Sequence, residues 1–224
     1  MTVPLDWMLP AALLVGVPAL GVGLLIAWVL RRVARANSGP GRRAFREEAL
    51  VALGAERATL APLASPEALT GRGRVRFTEA GYVSASGDLQ DVQGQIVAHY
   101  RLRWGAGPMD AVVTTREHTW TFAQDAGGAT QILLDEQEFG WVQGARLLNA
   151  HGAEVGALGP ARGGWRGVHV RGHAVAVLGA ATSGALVRGV PTTLEAEARL
   201  WITALALRVG VEAARNATGT TAAL

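Results

Sequence analysis

The hydrophobic positions of the chain follow three successive patterns. An uncharged run extends from Trp7 to Leu30, and as a helix it would be roughly 35 Å long, enough to cross a bilayer. Apolar and polar residues alternate beyond Gly71, most cleanly from Gly94 to Trp104, which is typical of a half-buried strand. Helical spacing returns from Thr193 to Asn216. We therefore predict a mainly β fold, with an N-terminal transmembrane helix followed by a small antiparallel β-barrel or sandwich-like domain with flanking helices.

Glycine, proline and polar clusters divide this pattern into segments. We expect a transmembrane anchor with a basic flank over 1–35, a helical connector over 36–70, a β domain over 71–190, a C-terminal helix over 191–216 and a disordered tail over 217–224.

Further strands are predicted within the β domain from its β-branched and aromatic residues. A long strand fits 112–122, and the turn residues Asp125–Gly128 lead into another at 130–134. Shorter strands fit 73–77, 82–84, 139–142, 168–171 and 174–178.

The residues around the uncharged run predict how it sits in the membrane. Trp7 and Trp28 are spaced to place one indole at each interface. Arg31, Arg32 and Arg35 follow the run at once, and clustered arginines stay on the cytoplasmic side. We expect a single-pass protein of the cell (inner) membrane, with its N-terminus outside and its main domain in the cytosol. A cleaved signal peptide is the alternative, but it would carry its positive charge before the apolar run.

Small residues recur every four positions within the run, at Ala19, Gly23 and Ala27. This spacing places them on one helical face and favours helix pairing, so a homo-oligomer is one expectation. The alternative is that these residues have no pairing role, because Gly and Ala are common in membrane helices.

Two placements are open for the C-terminal helix. We expect it to pack on the sheet or to lie at the membrane surface, and Arg208 argues against a second membrane crossing.

Composition removes several classes of chemistry. The 224 residues include no Cys, and all 21 basic residues are Arg. Thiolate zinc sites, iron–sulfur clusters, a Walker A lysine and a Schiff-base lysine are therefore excluded. Half of the chain is hydrophobic and 17% is charged, which excludes disorder over most of its length. The first 46 residues hold six Arg and one Asp within a total charge of +3, so the basic excess lies beside the predicted span, where lipid head groups attract it.

Candidate sites within the β domain favour structural roles. His169 and His173 would lie too far apart along one strand to share a metal unless Gly172 bends the chain. The acidic clusters Asp88–Asp91 and Asp135–Glu138 are assigned to solvated turns. We therefore expect no catalytic, metal-binding or cofactor-binding residues.

The order of these features, with Tyr100–Trp104, Trp120–Phe122, Asp125, Gly128 and His173–Ala181, resembles the GIDE family. This beside-a-membrane (BAM) domain occurs in mitochondrial ubiquitin ligases and in bacterial membrane proteins. The resemblance would cover about residues 45–215 and implies a membrane-adjacent β domain. The ligases end in a cysteine-rich RING, and since this chain has no Cys, ligase activity is not implied. Family members often have a second span, which Arg208 puts in doubt here.

Together these patterns favour a membrane-anchored, non-catalytic binding or scaffolding protein whose partners are the bilayer and an unidentified protein. One alternative is a membrane-bound hydrolase that uses dispersed Asp, Glu and His. Another is an RNA-tethering module that uses the Arg- and Gly-rich segment 161–172, although we expect nucleic acid not to be a partner because the charge after residue 46 is slightly negative.

Overall fold

The computed structural model describes residue 22 and residues 38–77, 84–104, 108–179 and 186–221, with side chains as far as residue 213. The chain forms two units, Met1–Arg43 and Ala44–Leu224, and the second contains the sheet. Apart from Val22, the predicted span lies outside the described residues. So do the residues assigned to it: Trp7, Ala19, Gly23, Ala27, Trp28, Arg31, Arg32 and Arg35. In the described part of the chain, no helix has the length and apolar character needed for a membrane crossing.

The described residues form two α-helices and twelve strands. The helices are α1 (Gly39–Glu56) and α2 (Ala196–Thr221), with short 3₁₀ turns at Arg57–Thr59 and Pro66–Ala68. The strands are β1 (Val75–Phe77), β2 (Ser84–Gln90), β3 (Ile96–Arg103), β4 (Asp110–Thr115), β5 (Thr119–Gln124), β6 (Thr130–Leu134), β7 (Gln137–Gln143), β8 (Arg146–Asn149), β9 (Glu154–Leu158), β10 (Trp165–Val170), β11 (His173–Gly179) and β12 (Val187–Arg188). The prediction of a mainly β fold is confirmed.

All twelve described strands belong to one antiparallel sheet, in which each strand pairs with the next along the chain. A short segment connects the two ends of this sheet. The Thr70 N–H donates to the Gln90 carbonyl at the end of β2, at 2.9 Å, and the Leu69 carbonyl accepts from the Leu186 N–H beside β12, at 3.3 Å. The first and last parts of the sheet are therefore held close together.

The sheet buries one face against α2. Because strand side chains alternate between faces, the register places the apolar side chains of successive strands in rows on this inner face, among them Leu102, Val113, Trp120, Phe122, Ile132, Val142, Leu147 and Val168. Helix α2 contributes a run that is buried on nearly every side, comprising Trp201, Ile202, Ala204, Leu205, Ala206 and Leu207. The helix thus packs on the sheet, which is one of the two placements expected for it.

The start of α2 is held by a hairpin turn. Glu195 and Glu197 lie at its first turn, where acidic side chains favour the helix dipole. Arg171, at the turn between β10 and β11, bonds both carboxylates, with 3.3 Å to Glu195. Arg171 (φ 50°) and Gly172 (φ 80°) both have the left-handed conformation of a tight hairpin. Gly172 therefore does bend the chain between His169 and His173.

Helix α1 packs on the outer face of the sheet through a small apolar contact. Ala49 and Leu53 are buried against Val112 of β4. Glu48 adds an ion pair with Arg101 at 3.1 Å, although exposed pairs of this kind contribute little to stability. The helix lies within residues 36–70, for which a helical connector was predicted.

The largest departure from the predicted strands concerns residues 112–122. The structure divides this segment into β4 and β5, which form a hairpin. The Thr115 hydroxyl accepts from the His118 N–H and donates to the His118 carbonyl, both at 3.0 Å. A threonine hydroxyl can form a turn without Gly or Pro, so the usual turn residues are missing from the sequence at this point.

Other elements also differ from the predicted ones. Strands β8, β9 and β12 were not predicted, because each is short or contains small residues. Asp88 lies within β2 rather than at a turn. Helix α2 continues to Thr221, into the segment for which a disordered tail was predicted.

Candidate functional site

A cavity of about 430 Å³ lies between α2 and the inner face of the sheet. This volume is within the range of about 300–1,000 Å³ that is usual for small-molecule sites. We call it the helix–sheet cavity. It is lined by Val142, Gly144, Leu158, Ala161, Gly164, Arg166, Leu178, Gly179, Leu205, Arg208, Val209 and Glu212.

The register of β10 brings a charged side chain to this otherwise apolar face. Val168 and Val170 are buried on the inner face, and Arg166 has the same alternation phase, opposite Leu178 of β11. Gly163 and Gly164, both with positive φ, form the tight turn that precedes β10. The row of inward valines therefore continues to an exposed arginine that lines the cavity.

The last described side chains of α2 supply the opposite wall. Arg208 and Glu212, one helical turn apart, form an ion pair with 2.9 Å between Nε and Oε1. The Arg208 side chain is only 19% exposed, so solvent and salt screen this pair less than a fully exposed one. The Arg166 side chain is exposed, and no ion pair or hydrogen bond joins it to another side chain of the described residues. The three charges leave the lining with one net positive charge.

A second polar group lies at the end of the β4–β5 hairpin. His118 Nδ1 is 2.7 Å from Asp135 Oδ2, and the Thr119 N–H donates to Asp135 Oδ1 at 2.8 Å. Partial burial acts to raise the pKa of Asp135, but the hydrogen bonds from Thr119 and His118, with the charges of His118 and Arg57, outweigh it and hold the pKa below its ordinary value of 3.8. The carboxylate fixes a turn whose two residues have positive φ, Asp135 at 48° and Glu136 at 68°.

Replacing Asp135 with asparagine should lower the free energy of unfolding by less than about 1 kcal/mol at neutral pH, because the pair is roughly half exposed. Asparagine keeps the turn conformation. Since the pKa is lowered in the folded state, the carboxylate stabilises the fold fully above pH 3.8 and loses this effect as the pH falls through the lowered pKa. Urea titrations of both proteins from pH 7 down to pH 3 measure this. The exposed neighbour Glu136→Gln should change stability by less than about 0.5 kcal/mol, and a D135N difference that persists undiminished at pH 3 would contradict the assignment.

A third polar group lies beneath α1. Asp88 is 6% exposed and its Oδ1 accepts from the Arg74 N–H at 2.9 Å. Burial, and then the charge of Asp88, raise the pKa of Tyr100 above its ordinary value. His99 lies opposite Asp88 on β3 and 3.7 Å from Glu56 of α1. A cavity of about 130 Å³ beside this group is too small for most organic ligands.

The acidic and histidine residues considered as candidate sites from the sequence have separate, local contacts in the structure. Asp91 Oδ1 accepts from two backbone N–H groups of its own turn. Glu138 accepts from the Trp141 indole at 2.5 Å. His169 and His173 are exposed on adjacent strands, at β10 and β11. Within the described ranges, no three His, Asp or Glu side chains are grouped to hold a metal ion.

The Arg- and Gly-rich segment 161–172 forms two hairpin turns and the strand between them. Its three arginines that were candidates for RNA contact have different environments. Arg162 is exposed at the first turn, Arg166 lines the cavity, and Arg171 pairs with two glutamates of α2.

Sequence reasoning missed the helix–sheet cavity and the roles of His118 and Glu212. Two signals were present. Arg166 shares the alternation phase of Val168 and Val170, and Arg208 and Glu212 lie at i and i+4 within an apolar helix. Neither signal predicts a cavity without the position of α2 relative to β10. Comparison of the chain with family models, curated proteins and solved structures finds no match.

Proposed function

We propose that the chain is a membrane-anchored, non-catalytic binding module whose β domain faces the cytosol and takes a ligand in the helix–sheet cavity. The observation that carries the proposal is the cavity itself, whose lining includes both buried apolar side chains and charged side chains. A concave site of this volume is within the usual range for small-molecule binding.

The environments of the acidic residues support binding rather than hydrolysis. Asp88 and Asp135 each accept a backbone N–H, from Arg74 and Thr119 respectively. The ring of His118 contacts Asp135, and no hydroxyl among the described residues bonds to that ring. A hydrolase would instead need a nucleophile or a water-activating base aligned with a substrate site.

The membrane part of the proposal depends on the sequence. The uncharged run from Trp7 to Leu30 is long enough to cross a bilayer, and Arg31, Arg32 and Arg35 favour a cytosolic β domain. The resemblance to the GIDE family supports the same arrangement. We also infer that the sheet is barrel-like, which is supported by the bonds of Leu69 and Thr70 to its two ends.

The full chain with alkaline phosphatase fused to its C-terminus should show no phosphatase activity, because that enzyme is active only outside the cytosol, whereas a fluorescent-protein fusion at the same site should be bright. Replacing Arg31, Arg32 and Arg35 with asparagine should give mixed orientation and partial phosphatase activity. Strong activity of the unaltered fusion would show that the β domain is outside.

Filling the cavity should abolish ligand retention without affecting the fold elsewhere. We expect native mass spectrometry of the full chain, ejected from lipid nanodiscs, to show a retained small molecule that Val209→Trp removes. Val92→Trp is the matched control, because Val92 is 62% exposed at the turn after β2. Loss of the molecule in both variants, or hydrolytic turnover that Asp135→Asn abolishes, would contradict the proposal.

A further inference from the structure

We infer that the helix–sheet cavity binds a single-chain amphiphile with one carboxylate, such as a fatty acid, whose carboxylate meets Arg166 and whose chain enters between α2 and β11. This inference rests on the proposed binding function and names its ligand class.

Part of the cavity lining is apolar and can contact an apolar chain. Val142, Leu178 and Leu205 are each at most 6% exposed, and they come from β7, β11 and α2. Leu158 and Val209 are partly buried at the sides. Apolar chain that enters this space leaves water, and each methylene that does so strengthens binding about fourfold, corresponding to about 0.8 kcal/mol. The volume of about 430 Å³ is at the lower end of the range for ligand sites, which favours one chain over the two of a membrane phospholipid.

The charges of the cavity lining favour a monoanion. Arg166 has no partner among the described side chains, whereas Arg208 is paired with Glu212 at 2.9 Å. One uncompensated positive charge therefore faces the ligand. A guanidinium binds a carboxylate with two parallel hydrogen bonds. A dianion such as an alkyl phosphate would bring a second negative charge close to Glu212, and the repulsion would weaken its binding.

Glu212 thus determines which anion is accepted. Its replacement by glutamine would free Arg208 for the ligand and leave the lining with two positive charges. If Glu212 had only a structural role, its replacement by glutamine would only weaken ligand binding or lower stability. If Glu212 determines specificity, the replacement should raise the affinity for dianions.

The experiment uses the full chain in lipid nanodiscs and photoreactive diazirine ligands, with empty nanodiscs subtracted and labelled peptides mapped by mass spectrometry. Straight-chain carboxylates of six to twelve carbons should label peptides that contain Leu158, Leu178 and Val209. The apparent affinity should rise about fourfold per methylene until the chain fills the cavity. A diazirine phospholipid should not label these peptides.

Charge variants distinguish binding through the carboxylate from non-specific hydrophobic binding of the alkyl chain. Arg166→Gln should weaken labelling by the carboxylate about tenfold and leave labelling by the alcohol of equal length unchanged. Arg162→Gln, which removes the same charge from the neighbouring turn outside the cavity lining, should have no effect. Glu212→Gln should strengthen labelling by the alkyl phosphate about tenfold.

The inference is overturned if carboxylate and alcohol label equally, if R166Q and R162Q behave alike, or if the phospholipid labels the same peptides as well as the fatty acid does. Any of these results together with a retained molecule that Val209→Trp removes would leave the binding function intact and reject only the ligand class. Absence of both labelling and a retained molecule would reject both.

Discussion

Replacing Trp201 with alanine should lower the free energy of unfolding by about 3–5 kcal/mol, the usual cost of removing a large buried aromatic side chain. Trp201 is 1% exposed, and its ring centroid lies 4.7 Å from that of Phe139. Phe139 in turn packs edge-on against Trp120 at 5.9 Å. The indole therefore joins α2 to two strands, β5 and β7, and its loss leaves a space that the sheet cannot close without moving both.

Urea titration of the full chain, followed by far-ultraviolet circular dichroism, measures this effect. Thr203→Ala is the matched control. It lies two positions further along α2, is partly exposed, and donates only to the Arg199 carbonyl of its own helix, so it should change stability by less than about 0.5 kcal/mol. An equal effect of the two substitutions would show that α2 is not packed on the sheet.

The strands that the sequence predicts well are those whose alternation determines a buried face. Residues 94–104 alternate cleanly, and β3 occupies 96–103 within them. The turn Asp125–Gly128 is formed by the expected residues, because Asp125 accepts the Ala129 N–H at 2.8 Å and Gly128 has φ 85°. In both places the local chemistry and the tertiary structure agree.

Predictions were less accurate where tertiary contacts outweigh local preference. Strand β9 reads EVGAL, which has weak strand propensity, and it forms because β8 and β10 offer bonding edges on both sides. The residues of α2 from 201 to 207 are apolar on nearly every face, a pattern shared by a buried helix and one in contact with lipid. Only the contact of α2 with the sheet distinguishes a buried helix from one in contact with lipid.

The candidate site could be predicted still less from the sequence. Its cavity depends on the distance between α2 and the sheet, which is set by large side chains such as Trp201 and Phe139 at one end of the contact. Periodicity indicates which side chains face inward but not whether they fill the space between elements. The alternation phase of Arg166 shows that it shares a face with Val168 and Val170, but it does not show that a space remains open there.

Gly140 on β7 allows α2 to approach the sheet closely, and its replacement by alanine should destabilise the fold by about 3 kcal/mol or more. A Cβ at this position would lie 2.3 Å from the Leu148 carbonyl oxygen and 2.8 Å from the Trp201 ring. Both distances are well inside van der Waals contact, and the oxygen belongs to a paired neighbouring strand. Strands β7 and β8 or helix α2 would have to move apart.

Thermal and urea unfolding of the full-length variant measure this cost, and about 3 kcal/mol corresponds to a fall of roughly 6–12 °C in Tm for a domain of this size. Gly54→Ala is the matched control, because nothing lies within 4 Å of its Cβ position in α1, and alanine in a helix should raise stability by up to about 1 kcal/mol. The two identical changes should therefore have opposite signs. In a Trp201→Ala background the cost of Gly140→Ala should fall but not vanish, because the contact with Leu148 remains. If Gly140→Ala had the same free-energy cost in the Trp201→Ala background as in the unaltered protein, positions 140 and 201 would not be in contact.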